Sequence, residues 1–184
     1  LYFKTPVRTG NPRSAALAVG MDNPIDLFVF AFEWLMEQNV PLREPTTGHI
    51  EFYDSTCAPL LYAGEHIEKY TKLFFEAKYN FGRVRPGEYY RMPGMVFGEY
   101  PHPNHCSYPA GHGTLATVLI VLGDVFILTP EIATELFNAA YFWAMFRTLG
   151  GVHYYDDNLS GLMLGGMMDY DADSKTFIRS WYGE

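Results

Sequence analysis

Lys78 and the Arg85-Pro86 pair stand seven residues apart, Gly111-His112 follows Pro109-Ala110, and Arg147, His153 and Asp157 close the series at intervals of six and four. Together they supply a Lys, two Arg, two His, a Gly and a carboxylate behind one His. A tetrahedral oxyanion such as phosphate or vanadate needs such a set to neutralise its charge, cradle its oxygens and exchange its protons. Gly111 offers a backbone N–H with no Cβ at what reads as a helix N-terminus, where the dipole favours negative charge. His112 beside it can trade protons with a ligand. Arg presents a rigid fork of donors and Lys a compact charge, so Lys78, Arg85 and Arg147 are the candidates for holding the anion.

His153 and Asp157 are four apart and would share a face of one helix, so Asp157 can accept the Nδ1 proton and leave Nε2 towards a ligand. Arg147 and His153, six apart, would diverge by about 120° on an unbroken helix. Gly150-Gly151 between them is expected to break it and let the two converge. Singly, the His–Asp pair is more often a satisfied core histidine and each cation more often a surface ion pair. Three motifs in this order outweigh those readings.

The set K-x6-R-P, P-(S)-G-H and R-x5-H-x3-D resembles the signature shared by vanadium-dependent haloperoxidases and the acid phosphatases of the type 2 phosphatidic acid phosphatase superfamily. The resemblance implies an all-α helical bundle with vanadate as cofactor. It places Lys78, Arg85, Gly111 and Arg147 on the equatorial oxygens, bonds His153 to vanadium, makes His112 the acid–base group with Lys78 polarising peroxide, and sets Asp157 behind His153. His105, seven residues before His112, stands where bromoperoxidases carry a second active-site His, and it implies a role in proton supply or halide binding. The runs His105-Cys-Ser-Tyr-Pro-Ala-Gly-His112, Gly151-Val-His-Tyr-Tyr-Asp-Asp-Asn158, Gly161-Leu-Met-Leu-Gly165 and Asn39-Val-Pro-Leu-Arg-Glu44 are similar to the same branch. The implied reaction is oxidation of a halide, bromide first, by hydrogen peroxide, with a small organic acceptor.

Two positions depart from that pattern. Ala110 stands where the family has Ser, which removes a hydroxyl donor worth about 3 kcal/mol if it acts as an oxyanion-hole group. Phe146 precedes Arg147 where many relatives have Ser. The same residues imply, as the alternative, a metal-free acid phosphatase forming a phosphohistidine at His153, and the chain length and the His112–Arg147 interval resemble short bacterial phosphatases more closely. A third reading is a non-catalytic anion-binding or assembly subunit of the same fold. A zinc site from His102, His105, Cys106 and His112 lacks a standard spacing, and no G-x-S-x-G elbow supports a serine hydrolase.

The elements that must position these groups are read from periodicity and punctuation. Asn23-Pro24 starts a helix over Ile25–Val40 that is apolar almost all round and belongs in the core. Residues 41–58 read as a surface loop. Apolar residues from Leu60 to Ala77 recur at helical spacing, giving a helix from Pro59 to about Phe81 with Lys78 in its last turn. The Pro- and Gly-rich stretch 82–107 reads as an irregular connection, and one so long in a compact domain is usually functional. Gly113–Phe126 reads as a strongly apolar helix. Thr129-Pro130-Glu131 caps a further helix towards Arg147, and His153–Met168 follows as the last. His66, beside Glu65, is expected at the solvent or an interface.

The bulk properties agree with one helical domain over residues 1–184, its oxyanion site built from residues 78–157. The chain of 184 residues is 48% hydrophobic and 18% charged, a composition able to bury a core without disulfides. Cys57 and Cys106 are too few for a disulfide framework and lack C-x-x-C spacing. The net charge of −8 argues against nucleic acid as a partner. Three of the 13 Lys and Arg nevertheless fall within the motifs, which focuses positive charge at one spot. Leu115–Leu122, the most apolar run, is well short of the ~20 residues of a membrane span. The reading is a soluble protein whose compartment, secreted and periplasmic included, stays open. The aromatic content of 17% fits subunit contacts, hence a homo-oligomer.

Overall fold

The computed structural model describes residues 22–43, 58–90 and 103–183. His49, Cys57, His102 and much of the two expected loops lie outside the described residues. The described part is mostly helical, with α1 Pro24–Glu37, α2 Ala58–Phe81, α3 Pro86–Tyr90, α4 Gly111–Leu115, a 3₁₀ turn Ala116–Ile120, α5 Val121–Val125, α6 Pro130–Leu149 and α7 Tyr155–Leu164. Two strands, β1 Met168–Asp171 and β2 Thr176–Arg179, pair antiparallel with Met168 opposite Arg179 and Asp171 opposite Thr176. The mostly helical fold is compatible with the all-α expectation, but the last helix stops at Leu164, and Met168, expected to end it, opens the hairpin instead.

Local chemistry sets most boundaries. The Asn23 side chain accepts from the Ile25 N–H at 2.9 Å with Pro24 at the first helical position, and Thr129 caps α6 ahead of Pro130 in the same way. Gly82, at φ +59°, ends α2, its N–H returning to the Lys78 carbonyl at 3.0 Å. Residues 111–126 depart from expectation, forming two short α-helices joined by a 3₁₀ turn. The Thr114 and Thr117 hydroxyls donate back to the carbonyls of Ala110 and Thr114, and Thr117, Val118, Ile120 and Val121 are β-branched, so this run holds a regular helix poorly.

Leu27, Phe28, Ala31 and Leu35 of α1 are buried against Val118, Leu119, Leu122 and Phe126, with Leu136, Ala139, Ala140 and Trp143 of α6 completing the core. An isolated bridge between Leu42 and Phe126 closes one end. His66 is not a solvated residue. Its Nε2 lies 2.9 Å from the Thr117 hydroxyl and its ring 4.3 Å from Tyr70, inside the packing of α2 on the 3₁₀ turn.

The contact that positions the site is that of α4 with α7. A Cβ at Gly113 would stand 2.6 Å from the Asn158 carbonyl oxygen, and one at Gly161 2.5 Å from the Ala110 carbonyl oxygen. Two glycines thus let the backbones touch, which brings His112 and the start of α7 together.

Candidate oxyanion site

Four helix ends meet at one place. The C-terminus of α2 brings Lys78, the start of α4 brings Gly111 and His112, the C-terminus of α6 brings Arg147, and the first turn of α7 brings Asp157. After Leu149 the chain turns through Gly150 and Gly151, the latter at φ +71°, with the Gly151 N–H on the Thr148 carbonyl at 3.0 Å and the Val152 N–H on the Arg147 carbonyl at 3.1 Å. Only the left-handed backbone of Gly151 makes this reversal cheap. As the Gly pair predicts, Arg147 and His153 then face one cavity of about 420 Å³, lined also by Asp22, Phe74, Arg85, His105, Gly111 and His112.

His153 is held as expected, though by a different device. It lies ahead of α7 rather than within it, and Asp157, in the first turn, reaches back to the N-terminus. Asp157 Oδ2 accepts the Tyr154 N–H at 2.9 Å and the Ser107 hydroxyl, and it stands 3.3 Å from His153 Nδ1. With Nδ1 turned to that carboxylate, the remaining nitrogen Nε2 is the one left for the cavity. Burial, with help from Lys78 and Arg85, lowers the His153 pKa to about 4 against the pull of Asp157, so the imidazole is neutral at pH 7. Burial would raise Asp157, but the hydrogen bonds from His153, Ser107 and the Tyr154 N–H hold it below the usual carboxylate range.

His112 stacks at a tilt on Trp143, centroids 5.0 Å apart, with Nε2 2.9 Å from Asp22 Oδ1. Burial and the positive charges of Lys78 and Arg85 push its pKa down to about 4. Arg147 donates through Nη2 to the same Asp22 oxygen. Asp22 is the residue that the motifs miss. It extends the site beyond residues 78–157 and seats an anionic group between the cation and the proton carrier that an oxyanion would engage.

Lys78 differs most from expectation. Its ammonium donates to the carbonyls of Cys106, Ser107 and Pro109 at 2.9, 3.1 and 2.6 Å, it is 1% exposed, and it is absent from the cavity wall. Three carbonyls match its three donors. Burial, reinforced by Arg85 and opposed by Asp157 and Cys106, lowers its pKa to about 7. In this arrangement Lys78 braces the wall instead of touching a ligand. Arg85 is also partly committed, with Nε on the His105 carbonyl at 2.8 Å and Nη1 on the Val152 carbonyl at 2.7 Å, yet it lines the cavity. His105 lines it too, Nδ1 3.3 Å from Arg85 Nη2 and its ring edge-on to Phe75, and burial lowers its pKa. Gly111 is packed so closely on Phe74 that a Cβ would stand 3.1 Å from the ring. Ala110 starts α4 with no side-chain cap, as the missing Ser requires.

Among the described residues no three His, Cys, Asp or Glu side chains gather as a metal cluster. Vanadate asks for a different set, one imidazole nitrogen and cationic or N–H donors, and His153, Arg85, Arg147 and Gly111 provide it around a cavity that already seats a carboxylate. No described helix is long and apolar enough to cross a membrane. Comparison of the chain with protein families, with curated proteins and with solved structures finds no match.

Proposed function

We propose that the cavity binds a tetrahedral oxyanion and that, loaded with vanadate, the protein is a vanadium-dependent haloperoxidase oxidising bromide with hydrogen peroxide. The observation that carries the reading is the seat of the Asp22 carboxylate against Arg147 and His112, in a cavity that His153 and Arg85 also line. A side-chain anion held there supports the reading that an exogenous one binds at the same groups. When bound, vanadate supplies a Lewis acid that activates peroxide towards a halide without change of metal oxidation state.

The protein's part is to bind, orient and move protons. Arg147 and Arg85 neutralise the anion with forked donors, and Gly111, on the cavity wall and tight against Phe74, supplies a backbone N–H at the start of α4. His153, neutral and oriented by Asp157 through Nδ1, offers Nε2 as the ligand nitrogen. His112, its Nε2 against the Asp22 carboxylate, carries protons to and from the bound oxygens at that nitrogen. His105 stands on the wall beside Arg85, where it tunes proton supply or halide approach. Lys78 fixes the 106–109 segment that joins the wall residues His105 and Gly111.

A second reading, a non-catalytic anion-binding subunit, has its own support. Ala110 brings no hydroxyl and Lys78 turns its donors to backbone carbonyls, so two groups expected at the anion are withheld. The test is to add vanadate to metal-free protein and measure peroxide-dependent bromination of a diketone dye, with phosphate-ester hydrolysis alongside. The expected result is vanadate-dependent bromination, lost in His153→Ala together with vanadate retention. Full vanadate binding by His153→Ala overturns the assignment. Ester hydrolysis without bromination replaces it with a phosphohistidine phosphatase, and oxyanion binding without turnover favours the second reading.

A further inference from the structure

Arg83 belongs to none of the three motifs, yet it ties them together. Its Nη1 donates to Asp157 Oδ1 at 2.7 Å and Asp156 Oδ2 at 2.9 Å, its guanidinium lies 4.1 Å over the Tyr154 ring, and its carbonyl accepts the Ser107 N–H at 2.8 Å. It sits two residues before Arg85 in the turn that follows Gly82. A surface ion pair with Asp156, whose side chain is 55% exposed, would be worth little. The arm to Asp157 differs in kind, because that carboxylate is 0% exposed.

We propose that Arg83 is a positioning residue for the oxyanion site, locking the Asp157 carboxylate in the orientation that presents His153 Nε2 to the cavity. Oδ2 is taken by Ser107, the Tyr154 N–H and His153 Nδ1, and among the described residues Oδ1 is held by Arg83. A buried carboxylate oxygen stripped of its donor is costly. Rotation of the Asp157 carboxylate to recover a partner takes Oδ2 away from His153, and the imidazole is then free to carry its proton on either nitrogen. An Nε2 that bears a proton cannot serve as a ligand or nucleophile. Arg83 thus acts on the anion through Asp157 and His153, in the way that outer partners of a ligating imidazole commonly do.

The inference rests on the oxyanion reading of the cavity, but its first readout does not. The ¹⁵N resonances of the His153 imidazole at pH 7 report its tautomer, and calorimetry gives the affinity for inorganic phosphate and for orthovanadate. Wild type and Asp156→Asn are expected to show one tautomer, protonated at Nδ1, and equal affinities. Arg83→Met is expected to show mixed tautomers and anion binding about 10- to 100-fold weaker, with Arg83→Lys recovering part of both. Thermal unfolding confirms that each variant is folded, and should Arg83→Met fail to fold, Arg83→Lys decides by the same spectrum. A folded Arg83→Met with the Nδ1 tautomer and wild-type affinity overturns the proposal. Should wild type bind neither anion, the oxyanion reading fails, while the tautomer comparison still decides the role of Arg83.

Discussion

Asp22 is the residue whose role is most open to measurement, because two effects of its carboxylate oppose each other. It orients Arg147 and His112, which favours binding, and it puts a negative charge where an incoming anion must sit, which disfavours it. At about 4 Å and an effective dielectric near 20, two unit charges interact by about 4 kcal/mol. The 73% exposure of the Asp22 side chain screens this down, leaving roughly a tenfold effect. Repulsion should still exceed orientation, so Asp22→Asn is expected to bind phosphate about tenfold more tightly by calorimetry. Weaker binding would show that the carboxylate acts chiefly by holding Arg147. Nothing in the sequence marks Asp22, which is 125 positions from Arg147 and 90 from His112, for no spacing rule spans such distances. His153, Asp157 and Arg147 were legible because they lie within one turn and its flanks. The destination of Lys78 was not, since its partners are backbone carbonyls that no side-chain pattern reveals.

At the scale of elements, what the sequence discloses is what local groups decide. The start of α1 at Asn23-Pro24, that of α6 at Thr129-Pro130 and the break at Gly150-Gly151 are each fixed within a few residues by a cap, a missing N–H or a left-handed backbone. The splitting of residues 111–125 and the closeness of α4 to α7 depend on packing partners far along the chain, and the motif pattern does not encode them. That closeness makes a sharp prediction. A methyl at Gly161 would stand 2.5 Å from the Ala110 carbonyl oxygen and 2.8 Å from the Thr114 nitrogen, both backbone atoms that cannot swing aside. Gly161→Ala is therefore expected to lower stability by about 1–3 kcal/mol or more in denaturant unfolding, and to weaken anion binding by displacing His112 from His153. Gly64→Ala, on α2 with nothing within 4 Å of the added methyl, is expected to raise stability by up to about 1 kcal/mol. Equal effects at the two glycines would contradict the close contact.

For the whole molecule, buried histidines contribute to the response to acid, and His66, His112 and His153 are the most strongly shifted of them among the described residues. Burial, with Lys69 acting on His66 and with Lys78 and Arg85 acting on His112 and His153, lowers each pKa from 6.5 to about 4. The unfolded chain takes up these protons near pH 6.5, whereas the folded chain resists them until about pH 4. Unfolding then binds protons, so stability falls as pH drops from about 6.5 to about 4 and is insensitive to these groups above that window. Each ring contributes up to about 3 kcal/mol to the loss, read as a falling midpoint of thermal unfolding, with His66→Gln making the fall shallower. A midpoint flat across that window would refute the buried, neutral state of these rings. Lys78, finally, makes the molecule able to report on itself. An amine-reactive ester acylates the surface amines of Lys69, Lys72 and Lys175 readily, but it can reach Lys78 only when residues 106–109 lift off. The labelling rate of that one amine, followed by mass spectrometry, clocks the lifting of the segment between the wall residues His105 and Gly111, and an anion that steadies those residues will slow the clock.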